Sequence, residues 1–309
     1  MRVIVKFIDD NRQEFGVEPI VRVLKRTPAR IATSSYYAYK KRPVSARALR
    51  DKRLKVVIKQ VFEDNYCVYG VRKIWHTLRR EHGDEFGQVA RCTVERLMRE
   101  LGIRGIGRRK KQPRTTSVAA KDCPDDLVNR DFWAGGPNCL WVADITYIPT
   151  RAGWVYAAFI LDVHTREIVG WQVTNHLRGS LATDALNMAL SARYRAGESV
   201  AGLIHHSDRG VQYRAVRYAE ALGDSQAVAS VGSKGDSFDN AMAEALNSVY
   251  KGELIDRREW SGLVEVMAAT AEWIGWYNTA RLHSALGYRT PYEFHYKTSS
   301  PGILQARAA

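Results

Sequence analysis

Apolar side chains recur at Leu54, Val57, Ile58, Val61 and Phe62, the spacing of a helix that buries one stripe. The same period returns from about Val71 to Arg80, with Ile74, Trp75 and Leu78 on one face. A third helix is predicted from Thr93, a plausible N-cap, to Leu101, with Val94, Leu97, Met98 and Leu101 inward and Gly102 as its stop. Arg91, Arg96 and Arg99 then face outward, as on a helix lying in a major groove. The pattern predicts a helix-turn-helix-like region over about 68–104, although the connection from His82 to Gln88 is longer than a minimal turn and a purely structural helical pair has the same period.

From Leu140 the period changes to that of strands. LWVADITYI, GWVYAAFILDV and EIVGWQVTN are rich in β-branched and aromatic residues, and their short connections predict an antiparallel meander. A helix from about Leu181 to Tyr194 follows, then the strand GLIHHSD, a helix around Ala215 to Leu222 and the short strand AVASV. Further helices are expected from near Phe238 and from Leu263 to Tyr277. This order predicts an α/β fold: a ribonuclease-H-like mixed five-stranded sheet with helices on both faces, preceded by an all-α helix-turn-helix-like DNA-binding region. Its first and fourth strands lie side by side, and the crevice where strand order reverses opens between them.

Charge divides the chain at a related point. Residues 1–122 hold 30 Lys+Arg against 13 Asp+Glu, a net of +17, whereas residues 123–309 hold 17 against 20, a net of −3. A basic half suits phosphate neutralisation and a slightly acidic half suits a carboxylate site for hard cations. The expected domains are therefore a basic helical region at 1–122, its last part a basic linker at 105–122, a core at 123–299 and a tail at 300–309. Within the linker, Arg108, Arg109, Lys110 and Lys111 read as a basic arm that follows a phosphate backbone or enters a minor groove, or as a solvated linker. Cys67, Cys92, Cys123 and Cys139 form no Cys-x-x-Cys pair, so neither a zinc knuckle nor a disulfide framework is expected. The apolar stretch Val3 to Ile8 is short and broken by Lys6, unlike a secretory signal, and no run is long enough to span a bilayer.

Three acids carry the candidate chemistry. Asp144 lies in the first strand, Asp208 ends the fourth, and Glu244 follows Asp208 after 35 intervening residues, 209–243. The topology makes the two aspartates neighbours, and a pair of divalent cations would give all three carboxylates a reason to converge, pointing to phosphoryl transfer on nucleic acid. Each also has a plainer reading: a hydrogen-bonded buried carboxylate, a turn cap and a solvated helix position. Asn240, Glu244, Asn247 and Lys251 fall at i, i+4, i+7 and i+11, one polar stripe of a helix, with Ala241, Ala245 and Leu246 opposite as packing candidates. His205 and His206 are adjacent on a strand and point to opposite faces, so they are no zinc pair; at most one approaches the acids, and they read as core histidines or as side chains that support the acidic site from behind. GSKGDS at 232–237 lacks the Gly-Lys-Ser/Thr ending of a phosphate-binding loop, which argues against ATP use; a flap or an ordinary connection fits it. Tyr36, Tyr37 and Tyr39, set among basic residues, suit either base stacking or core packing.

WVADITYI around Asp144, HHSDRGVQY around Asp208, GDSFDNAMAEALNSVYKGEL around Glu244 and WYNTARLHSALGYRTPYEF near the end together resemble OrfB-type transposases of the third bacterial insertion-sequence family, relatives of retroviral integrases. YGVRKIW and the following helices resemble that family's helix-turn-helix-like region. The resemblance implies that Asp144, Asp208 and Glu244 are an Asp-Asp-Glu set of catalytic metal ligands and that Lys251 is the associated basic, DNA-contacting position. It implies two Mg²⁺ or Mn²⁺ ions, cleavage and strand transfer at the ends of an insertion sequence, and terminal-repeat and target DNA as partners. A multimer on DNA and a bacterial cytoplasmic, nucleoid-associated location are implied with it. His283 falls in the late motif and is expected at the surface. The family's upstream frame supplies a leucine zipper that is absent here, so an upstream-frame partner or fusion is a further expectation. A ribonuclease H or junction resolvase is the competing enzyme reading, and a DNA-binding regulator with an inactive core is the non-enzyme one.

Overall fold

A computed structural model describes residues 1–107, 126–128, 132–208, 210–214, 216–231 and 240–297. Arg108 to Lys111, the expected boundary at 122/123, the GSKGDS loop, Phe238 and the tail at 300–309 lie outside the described residues. The chain divides into two compact units, Met1–Val57 and Ile58–Ala309.

The first unit holds α1 (Arg2–Phe15), α2 (Val17–Leu24) and α3 (Thr33–Lys41). Gly16, at φ 75°, takes a left-handed conformation that lets α2 start one residue after α1 stops. Val5, Ile8, Ile20, Val21, Ile31 and Tyr36 form its core. The Tyr36 hydroxyl donates to Asp9 Oδ1 at 2.7 Å, so this tyrosine is a packing residue, while Tyr37 and Tyr39 remain exposed. α4 (Ala46–Asp64) follows, with Leu54, Ile58, Val61 and Phe62 of the expected stripe buried.

In the second unit, α5 (Val71–Glu81), the single turn α6 (Gly83–Phe86) and α7 (Arg91–Glu100) make the helix-turn-helix-like region. The long connection expected between two helices is long because it contains α6. α7 starts two residues earlier than expected: Ala90, in extended backbone, is its N-cap and Thr93 already donates its N–H to Ala90 O at 3.0 Å. Thr93 is thus a first-turn residue. Gly102 adopts φ 69° and stops the helix as its missing Cβ allows.

The sheet runs β3-β2-β1-β4-β5. β1 (Leu140–Thr150), β2 (Gly153–Asp162) and β3 (Ile168–Thr174) are the antiparallel meander; β4 (Ile204–Ser207) and β5 (Val228–Val231) join it in parallel, β4 beside β1. Alternation along β1 explains the two cores. Val142 and Ile148 pack on one face with Phe159, under α10 (Ala241–Glu253) and α11 (Leu263–Thr279). Trp141 and Ala143 pack on the other, under α8 (Gly179–Arg195) and α9 (Val216–Asp224). Helices therefore cover both faces of a ribonuclease-H-like sheet.

The helix-turn-helix-like region is pinned to this core within the second unit. The Tyr69 hydroxyl accepts the Leu282 N–H at 2.8 Å and donates to Ala280 O at 3.2 Å, and the Trp276 indole donates to Asn65 Oδ1 at 3.1 Å.

Candidate active site

β1 and β4 pair in register from Leu140 with Ile204 to Ala143 with Ser207. The next residues on each chain are Asp144 and Asp208, so the register that buries the hydrophobic residues behind them also brings the two carboxylates to the same level, on strands about 4.8 Å apart. Asp144 shares the parity of Val142 and hence the face covered by α10. There Asn247 Nδ2 donates to Asp144 Oδ2 at 2.8 Å, and the Ile145 N–H donates to Oδ1 at 2.8 Å. One helical turn before Asn247, on the same side of α10, stands Glu244, exposed. Asn240 is the N-cap residue of α10 and donates to Ala143 O at 2.9 Å, fixing the start of the helix to β1.

The electrostatics of this corner are strained toward negative charge. The Asp144 carboxyl is pushed up to about 7, first by burial and then by the charge of Asp208, with a smaller push from Glu244; the bonds from Ile145 and Asn247 oppose the rise. Asp208, at the open end of β4, is raised by the protein packed around it and lowered by the Gly210 N–H, which donates to Oδ1 at 3.0 Å. The hydroxyl of Tyr213 is buried without a hydrogen-bond partner among the described residues and is pushed well up by burial and by Asp144 and Asp208. The side-chain oxygens of Asn240 and Asn247 are likewise buried and have no partner among the described residues. An all-oxygen corner of this kind suits a hard cation in donor chemistry. Among the described residues, however, no three His, Cys, Asp or Glu side chains are gathered tightly enough to hold a metal ion. The three acids share one electrostatic field and not yet one coordination sphere.

Other expected residues sort differently. Arg91 and Arg99 are exposed on α7, with Arg99 Nη2 3.4 Å from Glu95; Arg96 is half-buried and bonds Glu100 at 2.8 Å. Lys251 is half-buried two turns beyond Glu244. Leu246 packs in the core as expected, but Ala245 is exposed beside a groove, because α10 turns Ala243, Leu246 and Tyr250 inward instead. His205 is buried against the Tyr218 hydroxyl, 2.9 Å from Nε2, and held neutral, down to about 4, by burial; His206 is buried on the opposite face with Nδ1 2.9 Å from Ser230 Oγ. His283, expected at the surface, is buried: its bridge to Arg289 folds the late motif back on itself and sets the ring 4.7 Å from Tyr277. Tyr213 was not singled out from sequence, although it stands inside the Asp208 motif; nothing in the spacing distinguishes its hydroxyl from a core tyrosine's.

The Integrase core domain family matches residues 134–237, a second family of the same description matches 227–291, and the HTH-like domain family matches 49–111. The transposase for insertion sequence element IS629 of Shigella sonnei is 44% identical over 291 residues, 93% of each chain. A protein of insertion sequence element IS986/IS6110 in Mycobacterium tuberculosis is 45% identical over 265 residues, 85% of this chain and 94% of that one. Among solved structures, the HTLV-2 integrase catalytic core is 12% identical with a TM-score of 0.40, covering 53% of this chain and 100% of that one. Integrase core and HTH-like segment together define a polynucleotidyl transferase with an attached nucleic-acid-binding region. The chain belongs to the insertion-sequence transposase family.

Proposed function

We propose that this chain cleaves DNA at the ends of an insertion sequence and joins those ends to target DNA, using Asp144, Asp208 and Glu244 as an Asp-Asp-Glu centre. The observation that carries the reading is the Asp144 carboxyl, held by Asn247 while burial first, and then the charges of Asp208 and Glu244, raise its proton affinity. Such a site gains most from a bound cation. Asp144, Asp208 and Glu244 would hold Mg²⁺ or Mn²⁺, two ions in this reading, which supply Lewis-acid stabilisation of the attacking and leaving oxygens.

The protein's own part is positional. Asn247 fixes one Asp144 oxygen and leaves the carboxylate aimed into the corner, while Glu244 stands exposed one turn away on the same side of α10. Closing the centre requires the Glu244 side chain to turn toward the two aspartates. The attacking oxygen belongs to water in cleavage and to a DNA 3′-hydroxyl in joining: it gives up its proton to solvent as the new P–O bond forms, the P–O3′ bond breaks, and the released 3′-oxygen takes up a proton from solvent. No side chain acts as nucleophile. Arg91, Arg96 and Arg99 on α7, the basic run Arg108, Arg109, Lys110 and Lys111, and Lys251 would supply phosphate contacts. More than one copy on DNA, with or without an upstream-frame partner, and a place on the bacterial nucleoid belong to the same reading; among the described residues no helix is long and apolar enough to cross a membrane.

The test is Asp208→Asn, measured by joining of labelled end DNA in Mg²⁺ and, separately, by DNA binding over a salt series. Joining is expected to disappear while salt-sensitive binding persists. Undiminished joining overturns the assignment.

A further inference from the structure

Beyond Glu244 along α10 lies a groove of about 990 Å³ whose walls come from distant parts of the second unit. One wall is the start of α5, Gly70 to Lys73, and the other is the last two turns of α10 with the residues after it. Five cations line it, Arg72, Lys73, Lys251, Arg257 and Arg281, against two carboxylates, Glu253 and Asp256. One of those carboxylates is already committed: Glu253 takes two bonds from Arg281, at 2.6 and 2.8 Å. The groove is a positive trough.

Its shape is held by backbone. The chain returning from α7 lies against the α5 wall so closely that a Cβ on Gly105 would stand 2.3 Å from the Gly70 nitrogen, and Ile106 N–H bonds Val68 O at 3.2 Å. Only glycine permits that approach. α5 has Gly70 as N-cap and no side-chain cap bond, so the positive end of its peptide dipoles is not neutralised by a capping side chain. Lys73 rests over the Tyr69 ring at 4.8 Å, and burial together with the nearby Arg281 drives its ammonium down to about 7. A phosphate placed between Lys73 and Arg281 would relieve that repulsion.

We propose that this groove seats the phosphate backbone of the DNA strand that runs to Asp144, Asp208 and Glu244, so that the start of α5 is a wall of the substrate channel. This rests on the reading of the three acids given above. It gives the helix-turn-helix-like region a second task, distinct from any groove reading by α7. Lys251 follows Glu244 by seven residues, about 10 Å along the helix axis. At one charge per 3.4 Å of each strand, the groove meets the backbone about three nucleotides from the reacting phosphate.

The test uses the full chain and a fluorescent mixed-sequence duplex titrated across a salt series. Arg72→Gln is the first variant because Arg72 is exposed and its loss leaves the core intact; Lys251→Gln is the second, and Arg195→Gln, an exposed position on α8, is the control. Each groove variant is expected to weaken binding several-fold at low salt and to lower the slope of log K against log salt by about 0.9, one phosphate contact each, while the control matches the parent. Groove variants that match the parent in slope and affinity overturn the proposal, even where Asp208→Asn abolishes joining and the acidic centre stands. Asp208→Asn that joins normally overturns it from the other side, since the strand would then have no such centre to reach.

Discussion

Asn247 on α10 and Asp144 on β1, 103 residues apart in sequence, are joined by a 2.8 Å bond that orients one oxygen of a carboxylate pushed up to about 7 by burial and by Asp208. The donor is a neutral amide, so it steadies the anion without cancelling it. Removing it with Asn247→Ala is expected to slow joining roughly 10–100-fold, the range seen when a ligand's supporting partner is lost. Stability falls by about 1–3 kcal/mol, because the buried Asp144 oxygen keeps its desolvation cost and loses its donor. Single-turnover joining and urea unfolding measure the two effects. Joining at the parental rate would mean that the bond serves packing alone.

The raised Asp144 carboxyl also dictates how the metal-free protein responds to pH. Between the ordinary carboxylate value and about 7 the folded state binds the extra proton and the unfolded state does not. Stability from this group is therefore fully present at low pH and is lost as pH rises through about 7. Added Mg²⁺ should reverse the loss, raising Tm more at pH 7.5 than at pH 5.5. Thermal scans of the parent and of Asp144→Asn check this: the variant is expected to lose both the slope and most of the Mg²⁺ effect, and a variant that retains both refutes the linkage.

Gly170 on β3 sits under α8 so closely that a Cβ there would lie 2.2 Å from Ala185 O and 2.8 Å from Ala189 Cβ. Gly170→Ala should force α8 outward and cost about 1–3 kcal/mol. Because α8 covers the face opposite the acids, the expected outcome is a lower urea midpoint with joining retained at permissive temperature. An unchanged midpoint would show that the helix yields freely.

The core was readable because its signals are periodic and local. Alternation along β1 and β2 assigns Val142, Ile148 and Phe159 to one face, and the same parity carries Asp144 to the α10 side. The pairing of β1 with β4 followed from element order. The rest depends on contacts that sequence spacing does not encode. Residues 1–122 were expected to be helical, but the individual bounds of α1 to α3 were not anticipated, since in RVIVKFIDDNRQEF only Val5 and Ile8 are buried amid charges. His283 is buried by a bridge to a residue six positions on, and Thr93 lost its capping role to an earlier start of α7. The polar stripe on α10 was legible; that Asn247 rather than Glu244 makes its bond to Asp144 was not.

The bonds from Tyr69 and Asn65 to Leu282, Ala280 and Trp276 bear on how the protein can be dissected. A fragment beginning at residue 123 would be an amputation: the indole of Trp276 and the amide of Leu282 would lose their partners, and bare aromatic surface would invite clumping. Retaining the chain from Ala46, where α4 begins, keeps that helix whole and leaves Asn65 and Tyr69 bonded to the residues that follow α11 and to Trp276.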